Sequence, residues 1–318
     1  MSVTFYLGTH QPVWLERHAV PLFISRRRLA GRATLPRALG RWALDSGGFT
    51  ELQLYGRWTI TPEEYVADVR RFRDEIGMLD WAAPQDWMCE APVIHGLVRP
   101  RKKKAKRPPA IPLEPWLKWA REAGPVLADA VATAESLGSE AEVIFHGTGL
   151  SVEEHQRRTV ENFLELRRLA PDLNIRPALQ GHSLGQYVNC IGMYQDAGVD
   201  LRSEPLVLLG TLCRRQATDE VVRIVRHVVE VEGLSCHGLG LRKPGLERMG
   251  HLIKSSDSLA WSYDARHKPP LAECVAAGEK HKNCANCFRY ALRWLRVLEG
   301  RLAALGQQGS LFDAAEVR

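Results

Sequence analysis

The stretch Leu44-Asp45-Ser46-Gly47-Gly48-Phe49 decides how the rest of the chain is interpreted. It continues the apolar residues Trp42 and Ala43, so it has the pattern of a short buried strand that ends in a carboxylate. The two glycines after Ser46 allow the backbone of a turn to approach a ligand closely. We therefore predict that Asp45 stands at the end of a strand, in a binding site.

Four later stretches have the same build, because a short strand ends at a polar residue or a glycine. They are Ala82-Ala83-Pro84-Gln85-Asp86, Pro177-Ala178-Leu179-Gln180-Gly181, Val207-Leu208-Leu209-Gly210 and Ser255-Ser256-Asp257-Ser258-Leu259-Ala260-Trp261. Between the strands, apolar residues at helical spacing predict helices, such as the one that begins at Thr61-Pro62-Glu63-Glu64. Strands that alternate with helices indicate parallel β/α units.

The number of these units favours a closed barrel over an open sheet. About eight or nine strands in roughly 260 residues match an α/β fold of the (β/α)8 TIM-barrel type. The C-terminal ends of all strands in that fold face one pocket. We therefore expect a common site formed by Asp45, Asp86, Gln180, Gly210, Gly238, Gly240 and Asp257.

The same pattern divides the chain into segments. We expect a barrel over 1–265, with a basic, proline-rich loop at 99–115, then a metal-binding segment and a final helix over 266–305, and a flexible tail over 306–318. Individual predicted elements include a barrel strand at Val143-Ile144-Phe145, one helix from Trp116 to Leu137, a last strand from Ser258 to Trp261 and a final helix from Phe288 to Leu305.

Composition narrows the class of protein. The chain has 318 residues, of which 45% are hydrophobic, so it can bury a large core. It contains no uninterrupted apolar run of the ~20 residues that a membrane span needs, and its N-terminus lacks a secretory pattern. Seven cysteines, an odd number with three near the C-terminus, do not form a secreted disulfide pattern. We expect a cytoplasmic protein with reduced thiols, some of them bound to metal.

The net charge of +6 is mild, but the basic residues are clustered. The run from Arg99 to Arg107 contains Arg101, Lys102, Lys103, Lys104, Lys106 and Arg107. It is a candidate for phosphate contacts on a nucleic acid, and a solvated linker is the equal alternative. The three consecutive residues Arg26, Arg27 and Arg28 favour a solvated face over a phosphate site.

Carboxylates and an amide around one pocket, without a phosphate-binding loop or a redox-cofactor motif, indicate chemistry at a sugar carbon. A carboxylate can attack an anomeric centre through an oxocarbenium-like transition state while a second acid assists the leaving group. A glycoside hydrolase is one alternative, since the carboxylates alone also fit it. The other is that these residues are helix caps and strand-end turns.

The motifs resemble those of a known family. Asp45-Ser46-Gly47-Gly48-Phe49 is similar to the Asp-Ser-Gly-Gly-Phe motif of tRNA-guanine transglycosylases, and Gln180-Gly181, Leu209-Gly210, Gly238-Leu239-Gly240, Asp257 and a cysteine cluster occur after it in that family's order. Further motifs resemble the branch that inserts 7-deazaguanine derivatives into DNA. They are Ala83-Pro84-Gln85-Asp86-Trp87, His155-Gln156-Arg157-Arg158-Thr159, Cys213-Arg214-Arg215-Gln216-Ala217 and Asn283-Cys284-Ala285-Asn286-Cys287.

The resemblance implies an exchange of guanine in DNA for 7-cyano-7-deazaguanine. Asp257 would be the nucleophile that holds the nucleotide covalently at C1′, and Asp45 would be the general acid and base. Asp86 would accept hydrogen bonds from the base, while Gln180 and the Gly210 backbone would donate to O6. The glycines Gly181, Gly238 and Gly240 would line the base site. The target nucleotide would leave the base stack, and no redox or nucleotide cofactor would be needed.

The cysteine cluster departs from the pattern of the tRNA enzymes, which have Cys-X-Cys-X-X-Cys and a later histidine. Here Cys274 precedes Cys284 and Cys287, and the sequence after Cys287 contains no histidine. The resemblance therefore implies a fourth zinc ligand upstream of Cys287, with His281 as first choice and His267 as second. Such a site would be structural and would anchor the final helix.

Partners are also predicted. Gln308-Gly309-Ser310-Leu311-Phe312 resembles the peptide with which bacterial DNA-processing proteins bind the sliding clamp, although a frayed terminus is the usual case. A partner ATPase and, by analogy, a homodimer are further hypotheses. The alternatives to DNA exchange are the same exchange on tRNA and a catalytically silent subunit that binds nucleic acid.

Overall fold

The computed structural model describes residues 3–102 and 109–313, with side chains up to residue 304. The strands are β1 Thr4–Thr9, β2 Leu22–Ser25, β3 Trp42–Asp45, β4 Leu79–Ala82, β5 Leu97–Pro100, β6 Ala141–Phe145, β7 Ala178–Leu179, β8 Val207–Leu209, β9 Cys236–Gly238 and β10 Ser255–Ser258. The helices are α1 Gly48–Tyr55, α2 Pro62–Ile76, α3 Ala91–His95, α4 Leu113–Glu122, α5 Ala128–Leu137, α6 Val152–Leu169, α7 Leu184–Asp196, α8 Asp219–Arg226, α9 Lys243–Met249, α10 Ala260–Arg266, α11 Ala272–Ala276 and α12 Phe288–Asp313.

The chain forms two compact units, each of which is discontinuous in sequence. Unit 1 comprises 1–45, 71–82 and 202–318, and unit 2 comprises 46–70 and 83–201. The first division falls directly after Asp45, at the turn that contains the two glycines. Gly47 in that turn has a φ of +85°, a conformation that favours glycine.

Unit 1 is built on a parallel sheet. Among its described residues, seven strands are arranged in the order β4-β3-β2-β1-β10-β9-β8, and every pair is parallel. Side chains that point to both faces are fully buried, as shown by Ala43 on one face and by Trp42 and Leu44 on the other. A sheet that is covered on both faces explains why these strands have continuous apolar runs.

The last strand of this sheet differs from the prediction. A strand over Ser258–Trp261 is wrong, because β10 covers Ser255–Ser258 and Trp261 lies in α10. The sequence Ser-Ser-Asp-Ser has no apolar residue, yet all four residues are buried. A search for apolar patterns misses such a strand, because its buried residues are polar. Their polar groups form hydrogen bonds inside the protein.

Unit 2 also corrects the prediction. The segment from Val143 to Phe145 lies in β6, which pairs antiparallel with β5, so its assignment as a parallel barrel strand is wrong. The 99–115 segment is not a loop throughout, because it contains the end of β5 and the start of α4. A closed eight-strand TIM barrel is therefore not shown, and the fold is described as α/β with a parallel sheet in unit 1.

Two helices in unit 2 replace the single helix predicted from Trp116 to Leu137. α4 ends at Glu122, and α5 begins at Ala128 after a 3-10 turn that Pro125 opens. Gly124 has a φ of +100°, and the ring of Pro125 removes a backbone donor, so the helix cannot continue through this point. Both helices pack their apolar faces on β5 and β6, around Trp116 and Val143.

The final helix is longer than predicted. α12 begins at Phe288 as expected but runs through residue 305 to Asp313, since no proline interrupts that stretch. In the part of the chain that the structure describes, no helix combines the length and apolar character of a bilayer span.

Trp42 provides a test of the packing in unit 1. Its ring is fully buried, and its Nε1–H donates to the Gly77 carbonyl at 2.8 Å. We expect Trp42→Ala to lower the free energy of unfolding in urea by about 3–5 kcal/mol, because it leaves a cavity and an unsatisfied carbonyl. Val297→Ala, at an exposed position, should change it by less than about 0.5 kcal/mol. Equal effects of the two changes would contradict the described core.

Candidate active site

Asp257 lies on β10 in unit 1, and its side chain is 10% exposed. Its Oδ1 accepts a hydrogen bond from the Gly240 N–H at 2.9 Å and one from Nε2 of His237 at 3.2 Å. Both donors bind the same oxygen, and Oδ2 receives no hydrogen bond from the described residues. A carboxylate held through one oxygen presents the other to a substrate.

His237 holds Asp257 in place, a role that no sequence pattern predicted. It is fully buried on β9, and its Nδ1 lies 2.8 Å from the Ser255 hydroxyl oxygen. One neutral tautomer satisfies both contacts, with Nε2–H donating to Asp257 and Nδ1 accepting from Ser255. The available signal was its position directly before Gly238 in a predicted strand end.

Aromatic rings pack around the His237 imidazole. The Trp81 ring lies edge-on at 4.7 Å between centroids, and the Tyr6 ring lies at 6.0 Å. The Tyr6 hydroxyl donates to Asp80 at 2.8 Å and lies 3.3 Å from Nε1 of Trp81, which donates to it. Burial, together with the Asp80 carboxylate, raises the pKa of Tyr6 to about 12. Tyr6 therefore stays protonated, and the wall beside His237 is fixed by satisfied polar groups.

The two positions near Asp257 require glycine for different structural reasons. Gly240 has a φ of +67°, and a Cβ there would lie 3.0 Å from the Cβ of Cys213. Gly238 is buried, and its Cβ would lie 2.4 Å from Cδ1 of Leu241. Gly240 thus supplies a backbone donor in a conformation that favours glycine, whereas Gly238 permits close packing.

Several predicted site residues meet at one edge of the unit 1 sheet. Asp45 ends β3, opposite Ser25, and Gly210 lies directly after β8. Because all strands are parallel, this edge also carries Asp257 and the turn after β9. Thr211, next to Gly210, has a φ of +55°, an unusual conformation for a β-branched residue that the sequence did not reveal. The predicted residues at this edge are Asp45, Gly210, Gly238, Gly240 and Asp257.

Asp86 and Gln180 lie in unit 2 and contact each other. Both are buried, and Nε2 of Gln180 donates to Oδ2 of Asp86 at 2.5 Å. The backbone carbonyl of Gln180 accepts from Nε2 of Gln156 at 2.6 Å. Gln156 therefore fixes the backbone that carries Gln180, a role that its motif did not predict.

Helix α6 also fixes the backbone on each side of Asp86. The N–H of Gln85 donates to Oδ1 of Asn162 at 2.9 Å, and the N–H of Trp87 donates to Oγ1 of Thr159 at 2.9 Å. Thr159 and Asn162 are three residues apart, so they lie on one face of the helix. This face determines the backbone position of Asp86.

His155 adds a third contact from α6. Its Nδ1 lies 2.7 Å from the carbonyl oxygen of Met88, and its Nε2 lies 2.6 Å from the Thr148 hydroxyl. Burial lowers the pKa of His155 to about 4, against the opposing effect of the Met88 carbonyl. The imidazole is therefore neutral at pH 7 and donates through Nδ1.

Gly181 lies directly after Gln180, at the point where the chain turns toward α7. A Cβ at Gly181 would lie 3.1 Å from the Cβ of Gln186 and 3.1 Å from the Tyr187 ring. α7 begins with a complete capping box, in which the side chains of Ser183 and Gln186 each bind the other's backbone N–H. Gly181 thus has a packing reason for its small size.

The cysteine cluster is a candidate metal centre in unit 1. The ligand atoms of Cys274, His281, Cys284 and Cys287 all lie within 4.8 Å of one another. The sulfur of Cys274 is 3.6 Å from that of Cys287 and 3.9 Å from that of Cys284, and Nε2 of His281 is 3.3 Å from the Cys284 sulfur. Four such donors could hold one metal ion.

Neighbouring groups complete this centre. Nδ1 of His281 lies 3.4 Å from Oε2 of Glu279, which orients the ring so that Nε2 faces the sulfurs. The N–H of Leu271 donates to the Cys284 sulfur at 3.3 Å. His267, the second choice as ligand, is not part of the cluster and instead contacts the Tyr263 carbonyl.

The basic run is only partly described. Arg99 pairs with Glu142 at 3.4 Å, and the Arg101 N–H donates to the Glu140 carbonyl at 2.7 Å. These contacts fix the start of the run beside β6. Lys103, Lys104, Lys106 and Arg107 lie outside the described residues, whereas Arg101 and Lys102 lie inside them.

The predicted clamp-binding peptide from Gln308 to Phe312 falls within α12. Its side chains lie outside the part of the chain that the structure describes. The clamp interaction therefore stays a prediction.

The parallel α/β sheet, the aspartates at its strand ends and the Cys3His cluster agree with the resemblance to tRNA-guanine transglycosylases. A family model, DpdA, deoxypurine in DNA protein A, matches residues 1–104 and 129–310. The chain therefore belongs to the DpdA family, the DNA-guanine transglycosylase branch of that superfamily. This confirms the resemblance and indicates a transglycosylase-type enzyme of deazapurine DNA modification. No curated protein matches the chain significantly.

The buried His155 predicts a specific pH dependence of stability. Its pKa is about 4 in the folded protein and about 6.5 in an unfolded chain, so the unfolded state binds more protons between these values. The free energy of unfolding should therefore fall by up to about 3 kcal/mol from this residue as pH drops from 6.5 to 4. Urea unfolding at several pH values measures this loss.

Two variants separate His155 from other titrating groups. His155→Gln should be less stable at pH 7 but should lose less additional stability on acidification than the wild type. His251→Gln, which changes an exposed histidine, should keep the wild-type pH dependence. An unchanged acid loss in His155→Gln would contradict the assignment.

Proposed function

We propose that the protein exchanges guanine in DNA for 7-cyano-7-deazaguanine through a covalent intermediate on Asp257. The family match supports the chemical class, and one observation supports the nucleophile. Asp257 is a nearly buried carboxylate with Oδ1 held by two donors and Oδ2 left for a substrate. This arrangement suits attack on a sugar carbon better than a role as a helix cap.

In the first half of the reaction, Oδ2 of Asp257 attacks C1′ of the target nucleotide. The bond between C1′ and N9 of guanine breaks, and its electron pair leaves with the base, which takes a proton from Asp45. The second half reverses these steps. Asp45 removes the proton from N9 of the incoming base, N9 attacks C1′, and the bond to Asp257 breaks.

His237 would act as a positioning residue for Asp257. Its Nε2–H binds the oxygen that does not attack, so it fixes the rotation of the carboxylate. The Gly240 N–H binds the same oxygen from the turn after β9. A carboxylate can accept both hydrogen bonds through Oδ1 while Oδ2 attacks the sugar carbon.

Asp86 and Gln180 would recognise the base. A carboxylate accepts hydrogen bonds from N1–H and the exocyclic amine of guanine, and an amide N–H can donate to O6. In the free protein these two side chains bind each other, which keeps the buried pair satisfied. 7-Cyano-7-deazaguanine has the same hydrogen-bonding edge as guanine, so one site can accept both bases. Gly181 and the Gly210 backbone would complete this recognition.

A covalent-adduct assay tests the proposal. We expect wild-type protein with guanine-containing DNA to form an adduct that is visible on a denaturing gel and by mass spectrometry. Asp257→Asn should abolish the adduct and slow base exchange by at least about a thousandfold, or about 4 kcal/mol in the barrier. Asp196→Asn, at an exposed position at the end of α7, should react like the wild type.

The same assay separates the alternatives. Reaction with tRNA and not with DNA would keep the chemistry but overturn the DNA assignment. Reaction with neither, with and without 7-cyano-7-deazaguanine, would favour a silent subunit that binds nucleic acid. A normal adduct in Asp257→Asn would overturn the proposed nucleophile.

We also propose that the metal centre holds structural zinc. Tetrahedral zinc with bonds of about 2.3 Å to sulfur places two sulfurs about 3.8 Å apart. The distances from the Cys274 sulfur, 3.6 and 3.9 Å, fit this geometry. Cys287 directly precedes α12, so a bound ion would fix the start of that helix. Zinc would supply this crosslink and take no part in the exchange.

Metal analysis tests the zinc site. We expect about one equivalent of zinc in the wild-type protein, and its loss together with a lower melting temperature in Cys284→Ser. Cys190→Ala removes a buried thiol outside the cluster and should retain the metal. Full zinc content in Cys284→Ser would contradict the proposed ligand set.

The other partner hypotheses stay predictions. They are phosphate contacts through Arg101 to Arg107, a sliding clamp bound at Gln308–Phe312, a partner ATPase, a homodimer and a cytoplasmic location. The family supports DNA as the substrate without testing any of these.

A further inference from the structure

One histidine and two arginines lie in segments that come after neighbouring strands of unit 1. His10 lies directly after β1, and Arg28 ends the 3-10 turn that begins directly after β2. Arg266 ends α10, the helix after β10. These strands are adjacent in the order β2-β1-β10, and their C-terminal ends lie at the sheet edge that carries Asp45 and Asp257.

Helix α10 is fixed against the end of β1. Nε1 of Trp261 donates to the Gly8 carbonyl at 2.8 Å, and the Trp261 ring stacks on Trp14 at 5.4 Å. The two strand ends also approach closely, because a Cβ on Gly8 would lie 2.8 Å from the Ser258 carbonyl oxygen. The position of Arg266 is therefore set by the packed helix that carries it.

Arg28 and Arg266 also act electrostatically on one side chain at this edge. Burial, and then the guanidinium groups of Arg28 and Arg266, lower the pKa of His10. The charges of both arginines therefore act on the same imidazole. Both are exposed, and neither forms an ion pair with any residue that the structure describes. Some other arginines of unit 1 have partners, such as Arg71 with Glu75 and Arg37 with two backbone carbonyls.

We infer that Arg28 and Arg266 form a phosphate-binding site, here called the arginine rim, for the DNA backbone beside the target nucleotide. The inference rests on the proposed function, since the site would bind phosphates of the DNA strand on either side of the nucleotide that Asp257 would attack. Cations placed together without counter-ions repel each other, and a polyanion removes that repulsion. Phosphate contacts position a nucleic acid without reading its sequence.

The arginine rim changes the interpretation of Arg26-Arg27-Arg28 as a solvated face. In sequence, the three residues form a short basic run of a common kind. In the fold, Arg28 and Arg266, which is 238 positions later in the chain, follow the strands on either side of β1, at the sheet edge that carries Asp257. A solvated face does not require a second arginine, from a distant part of the chain, at the same sheet edge.

The salt dependence of DNA binding tests the inference. Binding of a short single-stranded DNA with one guanine is measured in the Asp257→Asn background, which prevents the covalent step. Each phosphate contact contributes about 0.7 to the slope of log affinity against log salt for single strands. Arg28→Gln with Arg266→Gln should therefore reduce the slope by about 1.4 and weaken binding by about tenfold or more at low salt.

Two controls make the result specific. Arg223→Gln removes an exposed arginine of α8 that has no ion-pair partner among the described residues, and it should leave the slope unchanged. In the otherwise wild-type enzyme, the double variant should raise KM for DNA and leave KM for 7-cyano-7-deazaguanine unchanged. Neutral methylphosphonates on each side of the guanine should mimic the double variant, and combining both changes should add little.

The outcomes distinguish this inference from the proposed function. An unchanged slope in the double variant, in a protein that still exchanges DNA, overturns the arginine rim alone. An equal loss in Arg223→Gln also overturns it, because the effect would then depend on net charge. Absence of both DNA binding and exchange in the wild type overturns the proposed function and the arginine rim together.

Discussion

A buried carboxylate needs donors that remain in place, and the active edge of unit 1 depends on this constraint. Asp257 lies within a strand of four polar residues, and each of its neighbours uses its polar group internally. Ser255 contacts His237, and the Ser256 hydroxyl donates to the Gly238 carbonyl at 2.8 Å. Leaving such groups without partners would cost about 1–3 kcal/mol each. The side chains therefore fix the register of β10 on β9 in addition to the backbone ladder.

Unit 2 meets a similar constraint with a helix in place of a sheet. The backbone around Asp86 is irregular, so its N–H and carbonyl groups need partners outside a ladder. Thr159, Asn162 and His155 of α6 supply them, and Gln156 does the same for Gln180. The residues proposed for base recognition are thus held by polar side chains of one helix. The residue proposed for attack on the sugar is held by a neighbouring strand and its turn.

Apolar periodicity predicted the helices and strands that bury apolar faces. The prediction failed mainly where hydrogen bonds between polar side chains determine the structure. Apolar runs predicted most strands of unit 1, and the cysteine spacing led to His281. β10 was misplaced because its buried residues are polar, and His237 was missed because a histidine in a strand resembles an ordinary core residue. The antiparallel pairing of β5 with β6 was not predicted, since a short apolar run does not indicate whether its partner strand is parallel or antiparallel. Arg28 needed the fold, because its relation to Arg266 is not local.

The position of β1 in the sheet has a consequence for how the molecule assembles. β1 pairs with β2 on one side and with β10 on the other, where Thr4 lies opposite Ser255. During synthesis, one side of β1 therefore has no partner until nearly all of unit 1 and the whole of unit 2 have been made. Contacts so distant in sequence form slowly, and an open strand edge can pair with another chain meanwhile. Chaperone demand and aggregation during expression should therefore depend on how fast β10 arrives, more than on the stability of the finished sheet.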